Sequence, residues 1–185
     1  MQVERFDIEG PALLTPARHG DARGFFSETW RQDAFDRAVG PTAFVQDNHS
    51  RSTQRGVIRG LHYQSAPFAQ GKLVRVTRGA VFDVAVDIRH GSPTFGRHIA
   101  TELSEDNGRQ LWIPPGFLHG FCTLTDDVEF LYKVTAYYSR AHDGGVSPTD
   151  PDLGIDWPLG DSEPLISDKD RAAPQLKDLP VIFRL

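Results

Sequence analysis

The sequence has a single cysteine, Cys122, so it forms no internal disulfide and offers no cysteine-rich zinc site. It carries no excess of positive charge. Lys and Arg number 20 against 25 Asp and Glu, a net charge of -5, which leaves no bulk attraction for nucleic acid or for an anionic membrane surface. Any phosphate therefore has to meet a local basic cluster. Long apolar runs are missing too: no stretch approaches the ~20 residues that cross a bilayer. Residues 1–10 mix Glu4, Arg5, Asp7 and Glu9 with isolated apolar side chains, unlike the apolar stretch of a secretory leader. Together these absences make a cytoplasmic protein the expectation.

What is plentiful is punctuation. Seventeen glycines and thirteen prolines are spread along 185 residues, a pattern that suits many short strands and turns better than a helical bundle. Strand-like segments are expected at 3–7, 12–15, 43–47, 57–64, 72–78, 80–88, 98–103, 110–113, 120–124 and 129–138, with a turn over 19–21. Over 31–39 the spacing of Ala34, Phe35, Ala38 and Val39 predicts one helical face, and Gly40 supplies its stop. The Gly, Pro and Asp content of 143–161 predicts a long surface loop, and 167–179 a short helix interrupted by Pro174. One hydrophobic core, and so one domain spanning 1–185, is what this length supports. The fold class expected is all-β, a sandwich or barrel.

Gly108, Pro114, Gly116 and His119 follow the spacing Gly-x5-Pro-x-Gly-x2-His, which resembles the second cupin motif; Gly56 and His62 resemble the opening of the first. The resemblance implies a cupin-type jelly roll, a double-stranded β-helix. Metal-binding cupins continue the first motif with a second His and then a Glu, where this chain has Gln64 and Phe68 or Ala69. No carboxylate occurs from Asn48 to Phe82. The usual site of two or three His plus Glu is not assembled, so no metal is expected.

More specific segments surround these motifs: Asp21-Ala22-Arg23-Gly24-Phe25-Phe26-Ser27-Glu28, then 46–50, 59–64, 70–75, 81–89, 92–96, 112–121 and 129–133. In that order they resemble the dTDP-4-dehydrorhamnose 3,5-epimerase family over about residues 17–179. The likeness implies a cofactor-independent isomerase that converts dTDP-4-dehydro-6-deoxy-D-glucose to dTDP-4-dehydro-L-rhamnose by proton removal and return at C3 and C5. Its partners would be a dTDP-linked 4-keto-6-deoxy sugar and a second copy of the chain, with N-terminal strands joining the neighbouring sheet. No nucleic acid and no membrane is implied.

The residue types suit that chemistry. A proton beside a ketone is removable when a base of near-neutral pKa reaches it while a positive donor meets the developing enolate oxygen. His62 is the candidate base, since an unperturbed imidazole titrates near pH ~6.5, and Lys72 is the candidate cation. Tyr132 is the candidate proton donor to the opposite ring face, and Asp170 the carboxylate that orients His62. By resemblance Arg23, Glu28, Gln46, Asn48, Arg59 and His119 line the nucleotide-sugar pocket, with Phe26 and Tyr138 as apolar walls. The segments 81–87 and 112–117 read as core packing.

Plainer readings stand beside these. Lys72 also fits an ordinary strand-end lysine, and Tyr132 a core aromatic in an alternating strand. Ser167-x-x-Asp170 resembles a helix start, and Arg23 has Asp21 and Glu28 near it for surface ion pairs. Strict alternation puts Arg59 and His62 on opposite faces of one strand unless Gly60 marks a bulge. The competing functions are an epimerase of C3 or C5 alone, a 3,4-ketoisomerase, a non-catalytic sugar-nucleotide-binding cupin and a metal-dependent cupin enzyme.

Overall fold

The computed structural model describes every residue, Met1–Leu185. In chain order the first elements are β1 Gln2–Arg5, β2 Ala12–Thr15, β3 His19–Asp21, β4 Gly24–Phe26 and helix α1 Gln32–Ala38. Then come β5 Gln46–Ser52, β6 Val57–Gln64, β7 Lys72–Arg78, β8 Ala80–Asp87, β9 Arg89–His90, β10 His98–Ser104 and β11 Gln110–Ile113. The last are β12 Phe117–Thr123, β13 Val128–Val134, β14 Asp143–Gly145, β15 Leu165–Ile166, helix α2 Asp168–Arg171 and β16 Phe183–Arg184.

Two large sheets form. One runs β1-β2-β11-β7-β13-β5; the other runs β10-β8-β12-β6-β14, with β15 pairing parallel to β6. Period-two alternation explains why they face each other. On β7, Val74 and Val76 turn inward to meet Val81 and Ala85 of β8 and Phe117 and Phe121 of β12, in a core of 14 buried residues shared by both sheets. This is the all-β, cupin-type jelly roll expected from the motifs.

Each sheet is also covered outside. Phe35 of α1 packs with Leu73 and Trp112 behind the first sheet, with Ala38 and Val39 against them. The helix stops where the Val39 and Gly40 amides bond the Phe35 and Asp36 carbonyls at 2.9 and 3.0 Å, and Gly40 takes φ 123°. Val146, Leu153 and Leu176 cover Leu61, Val84, Val86 and Leu118 of the second sheet. Residues 143–161 are therefore a covering layer and not the surface loop expected. Their Gly and Pro content reflects turns, while Val146, Asp150 and Leu153 are buried.

Several expected strands are displaced. β5 covers 46–52, not 43–47, because its polar residues earn their place by backbone pairing with β13 while Phe44 packs on Phe35 and Trp112. β12 begins at Phe117, ahead of the expected 120. Lying between β8 and β6 with both faces covered, it is buried at all seven positions and shows no alternation. β13 ends at Val134. Residues 19–21 are a strand paired with β4, the turn falling at Ala22 and Arg23.

Candidate active site

The second sheet builds one wall of a cleft at Gly60. His119 of β12 pairs with His62, and Phe121 pairs with Arg59, so three steps on β6 oppose two on β12. The extra residue is a bulge, and it brings Arg59 and His62 to one side despite their odd separation. Gly60 is suited to it: its φ is 117°, and a Cβ there would lie 2.6 Å from the His119 carbonyl oxygen.

The first sheet builds the facing wall. Lys72 opposes Val134 and Tyr132 opposes Val74 across β7 and β13, which places Lys72 and Tyr132 on the inner face. The C-terminal segment closes one side through β15 and α2, where the Ser167 hydroxyl accepts the Asp170 amide at 3.2 Å. The cleft has a volume of about 470 Å³ and is lined by Arg59, His62, Lys72, His119, Tyr132 and Asp170, with Ser50, Phe121, Phe130, Leu165 and Lys169 among their neighbours.

Each polar group has a defined setting. His62 Nε2 lies 2.6 Å from Asp170 Oδ1, and the Gly60 amide donates to Asp170 Oδ2 at 3.3 Å. Burial pushes the Asp170 carboxyl up, but hydrogen bonding and charge from His62, with the Gly60 amide and Ser167, more than offset this and hold it low. Burial draws Lys72 down to about 8, partly opposed by the charges of Asp143 and Asp83. Burial raises the Tyr132 hydroxyl, so it keeps its proton across the neutral range. The Lys72 ammonium and the Tyr132 hydroxyl make no hydrogen bond or ion pair within the protein. No group of three or more His, Cys, Asp or Glu side chains is arranged to hold a metal ion.

Six of the twelve residues picked out in the sequence thus meet in one cleft. The other six lie outside its walls. The Arg23 side chain is 90% exposed and forks onto Asp21, the surface pair weighed above. Phe26 is exposed, and with Glu28 it lines a separate hollow beside Trp30 and α1. Gln46 donates to Asn48 at 2.8 Å on β5 and accepts the Tyr138 amide at 3.1 Å. The exposed Tyr138 hydroxyl donates to Asp143 at 3.4 Å.

The sequence reading missed Ser50, Lys169, Asp143 and Asp83. Lys169 forms an ion pair with Asp143 beside Asp170. Asp83 is fully buried against His119. The one available signal was an acidic residue inside the apolar run Ala80-Val81-Phe82-Asp83-Val84-Ala85-Val86.

Comparison with known proteins shows the family of the whole chain. A family model described as dTDP-4-dehydrorhamnose 3,5-epimerase matches residues 5–178. A dTDP-4-dehydrorhamnose 3,5-epimerase from Pseudomonas aeruginosa is 54% identical over 96% of this chain and 97% of its own. One from Sinorhizobium fredii is 51% identical over 100% of this chain and 94% of its own. The crystal structure of a dTDP-6-deoxy-D-glucose-3,5-epimerase from Legionella pneumophila, in complex with dTDP-4-keto-L-rhamnose, superposes with a TM-score of 0.95 at 46% identity. It covers 100% of this chain and 98% of that one.

Proposed function

The chain belongs to the dTDP-4-dehydrorhamnose 3,5-epimerase family, and on that premise we propose that it converts dTDP-4-dehydro-6-deoxy-D-glucose to dTDP-4-dehydro-L-rhamnose by inverting C3 and C5. One observation carries the reading. His62, oriented by Asp170, comes from one sheet while Lys72 and Tyr132 come from the other.

Inversion needs that opposition. His62 removes the proton beside the ketone, and the Asp170 carboxylate fixes its tautomer and stabilises the imidazolium that forms. Lys72, with no partner in the protein, meets the charge that develops on the carbonyl oxygen. Tyr132 returns a proton from the other side of the ring; the resulting tyrosinate is then reprotonated from solvent and the His62 imidazolium releases its proton to solvent, which resets both groups. Repeating the cycle at the second carbon gives the L-sugar. No redox step occurs, since bonds to hydrogen are broken and remade at the same carbon.

The reading also assigns a second copy of the chain. The β3–β4 hairpin pairs only with itself and is exposed throughout, and β1 is an exposed sheet edge. An isolated hairpin is marginal in water and an open edge invites pairing. A homodimer covers both, and it lets Arg23, Phe26 and Glu28 reach the neighbour's cleft, where Arg59 supplies the other diphosphate fork. Gln46, Asn48 and Tyr138 extend the pocket toward the nucleotide. A reducing cytoplasmic setting suits the buried, unpaired Cys122. No helix is long and apolar enough to cross a membrane.

The test is incubation with dTDP-4-dehydro-6-deoxy-D-glucose in heavy water, followed by proton spectra of the sugar. Deuterium and inverted configuration at both C3 and C5 are expected. Change at one centre alone makes the chain a mono-epimerase, and a product with the ketone moved to C3 makes it a ketoisomerase. Absence of exchange overturns the reading.

A further inference from the structure

Asp83 is an anomaly in the core. It stands on the inner face of β8 between Val81 and Ala85, and its partner His119 stands on the inner face of β12 between Phe117 and Phe121. Those four apolar neighbours all belong to the shared core of the two sheets. The carboxylate is completely buried, and its only hydrogen-bond partner is the imidazole. His119 Nε2 lies 3.1 Å from both Oδ1 and Oδ2. A buried charge with so few partners costs several kcal/mol, and a hydrophobic pair of similar volume would pack as well or better. Stability does not explain its presence.

The position of the pair does. Lys72 stands on the inner face of β7 and Asp83 on the inner face of β8 in the opposite sheet, near enough for the carboxylate's charge to act on the ammonium. His119 lines the cleft and neighbours His62 in register. The only buried side-chain nitrogen or oxygen without a partner is Trp30 Nε1. His119 Nδ1 bonds nothing in the protein, so it reaches the solvent of the cleft. We propose that Asp83 is a positioning residue for the carbonyl side of the reaction: it locks His119 with Nε2–H turned inward and Nδ1 presented to the cleft, and it serves as the counter-charge that keeps Lys72 protonated. The proposal rests on the epimerase reading given above.

The cleft then holds two imidazoles on adjacent strands, each held by its own carboxylate, with divided work. His62–Asp170 removes the proton. His119, whose bare Nδ1 can only accept, takes a hydrogen bond from a sugar hydroxyl next to the ketone and so seats the carbonyl at Lys72, which receives the charge that moves to oxygen. Burial pulls His119 down and Asp83 up, and the attraction between the two opposes both effects. The facing groups fix the direction of pH effects. His119 of β12 and Lys72 of β7 face Asp83; His62 of β6 faces His119; Asp143 of β14 and Lys169 of α2 face Lys72. Neutralising Asp83 removes one of the two carboxylates that hold Lys72 up, so Lys72 loses its proton at lower pH.

Two measurements decide it. Nitrogen spectra of histidine-labelled wild-type protein are expected to show neutral His119 as the Nε2–H tautomer; an Nδ1–H form or an even mixture overturns the proposal whether or not any variant folds. In Asp83→Asn, which keeps an acceptor for Nε2–H, kcat is expected to fall about 10²-fold, within the usual span for a misarranged acid–base group. Affinity for dTDP should stay within about 2-fold, a change of only ~0.4 kcal/mol, and the alkaline limb of kcat/KM should move to lower pH. An unchanged limb, with activity reduced only in proportion to unfolded protein, assigns Asp83 to the fold alone and overturns the proposal. Failure of the epimerase reading shows differently, as absence of exchange in the wild type with the His119 tautomer unaffected.

Discussion

Two aspartates on β8, four residues apart and both fully buried, show how differently one strand can use the same side chain. Asp87 is saturated. It accepts from the Arg89 amide and Nε at 2.9 Å each, from Arg89 Nη2 at 2.7 Å, and from the Ser92 and Thr94 hydroxyls at 2.6 Å. Burial raises it, yet these bonds more than compensate and draw it down to about 2. Asp83 has His119 alone, and there burial wins and the carboxyl is raised. A buried carboxylate with every lone pair engaged is a structural part. One left short of partners, beside a cleft, is available for chemistry.

The Asp87 end is built for holding. Arg89 also donates to the Glu9 carbonyl at 2.9 Å and lies over the Phe117 ring at 4.6 Å, tying the N-terminal segment to the turn after β8. The cleft end keeps Lys72 and Tyr132 free of protein partners.

Substitutions at the two ends are therefore expected to fail in opposite ways. The largest effect belongs to His62→Ala: turnover falls by about 10²–10⁴-fold, the span for losing a positioned general base, while dTDP affinity per folded molecule hardly changes. Near-normal turnover moves the base elsewhere. Asp87→Ala reverses the pattern. Chemical denaturation should show a loss of about 3–5 kcal/mol, as when one partner of a buried ion pair is removed, with normal activity per folded molecule.

Acid sharpens the contrast. Because the Asp87 carboxyl is lower in the folded state than its unfolded value of roughly 3.9, its stabilisation is complete above pH ~4 and is lost as pH falls toward ~2. The shift is worth about 2–3 kcal/mol. Denaturant titrations between pH 5 and pH 2 should show Asp87→Asn with a flatter acid limb than the wild type; parallel limbs contradict the assignment. The smallest stability change is expected at Arg23→Ala. Its exposed bridge to Asp21 contributes no more than ~1 kcal/mol, so melting stays put while the sugar-nucleotide concentration needed for half-maximal rate rises. A pure loss of turnover there counts against a phosphate contact.

The same contrast marks what the sequence made legible. The bounds of β2, β6, β7 and β11 follow from apolar runs between Gly, Pro and Asp, and they match the structure. β5 was hidden because Gln-Asp-Asn-His-Ser-Arg-Ser has no apolar alternation and depends on its neighbour β13. His62 and Asp170 are 108 residues apart, a separation that local spacing cannot bridge; likeness to the family linked them. Arg59 and His62 posed a conflict that strict period two cannot resolve, and the bulge at Gly60 answers it. Asp83 was read as core, since a sequence shows that a carboxylate lies in an apolar strand but not how many donors surround it.

The central claim is that the two sheets bring a proton remover and a proton donor to opposite sides of one sugar. Tyr132→Phe tests it most directly, because it keeps the ring and deletes the transferable proton. In heavy water, the account predicts that this variant exchanges the hydrogens beside the ketone with retained configuration, faster than it forms epimer. Exchange and inversion lost in equal measure, or inversion at the normal rate, would contradict it.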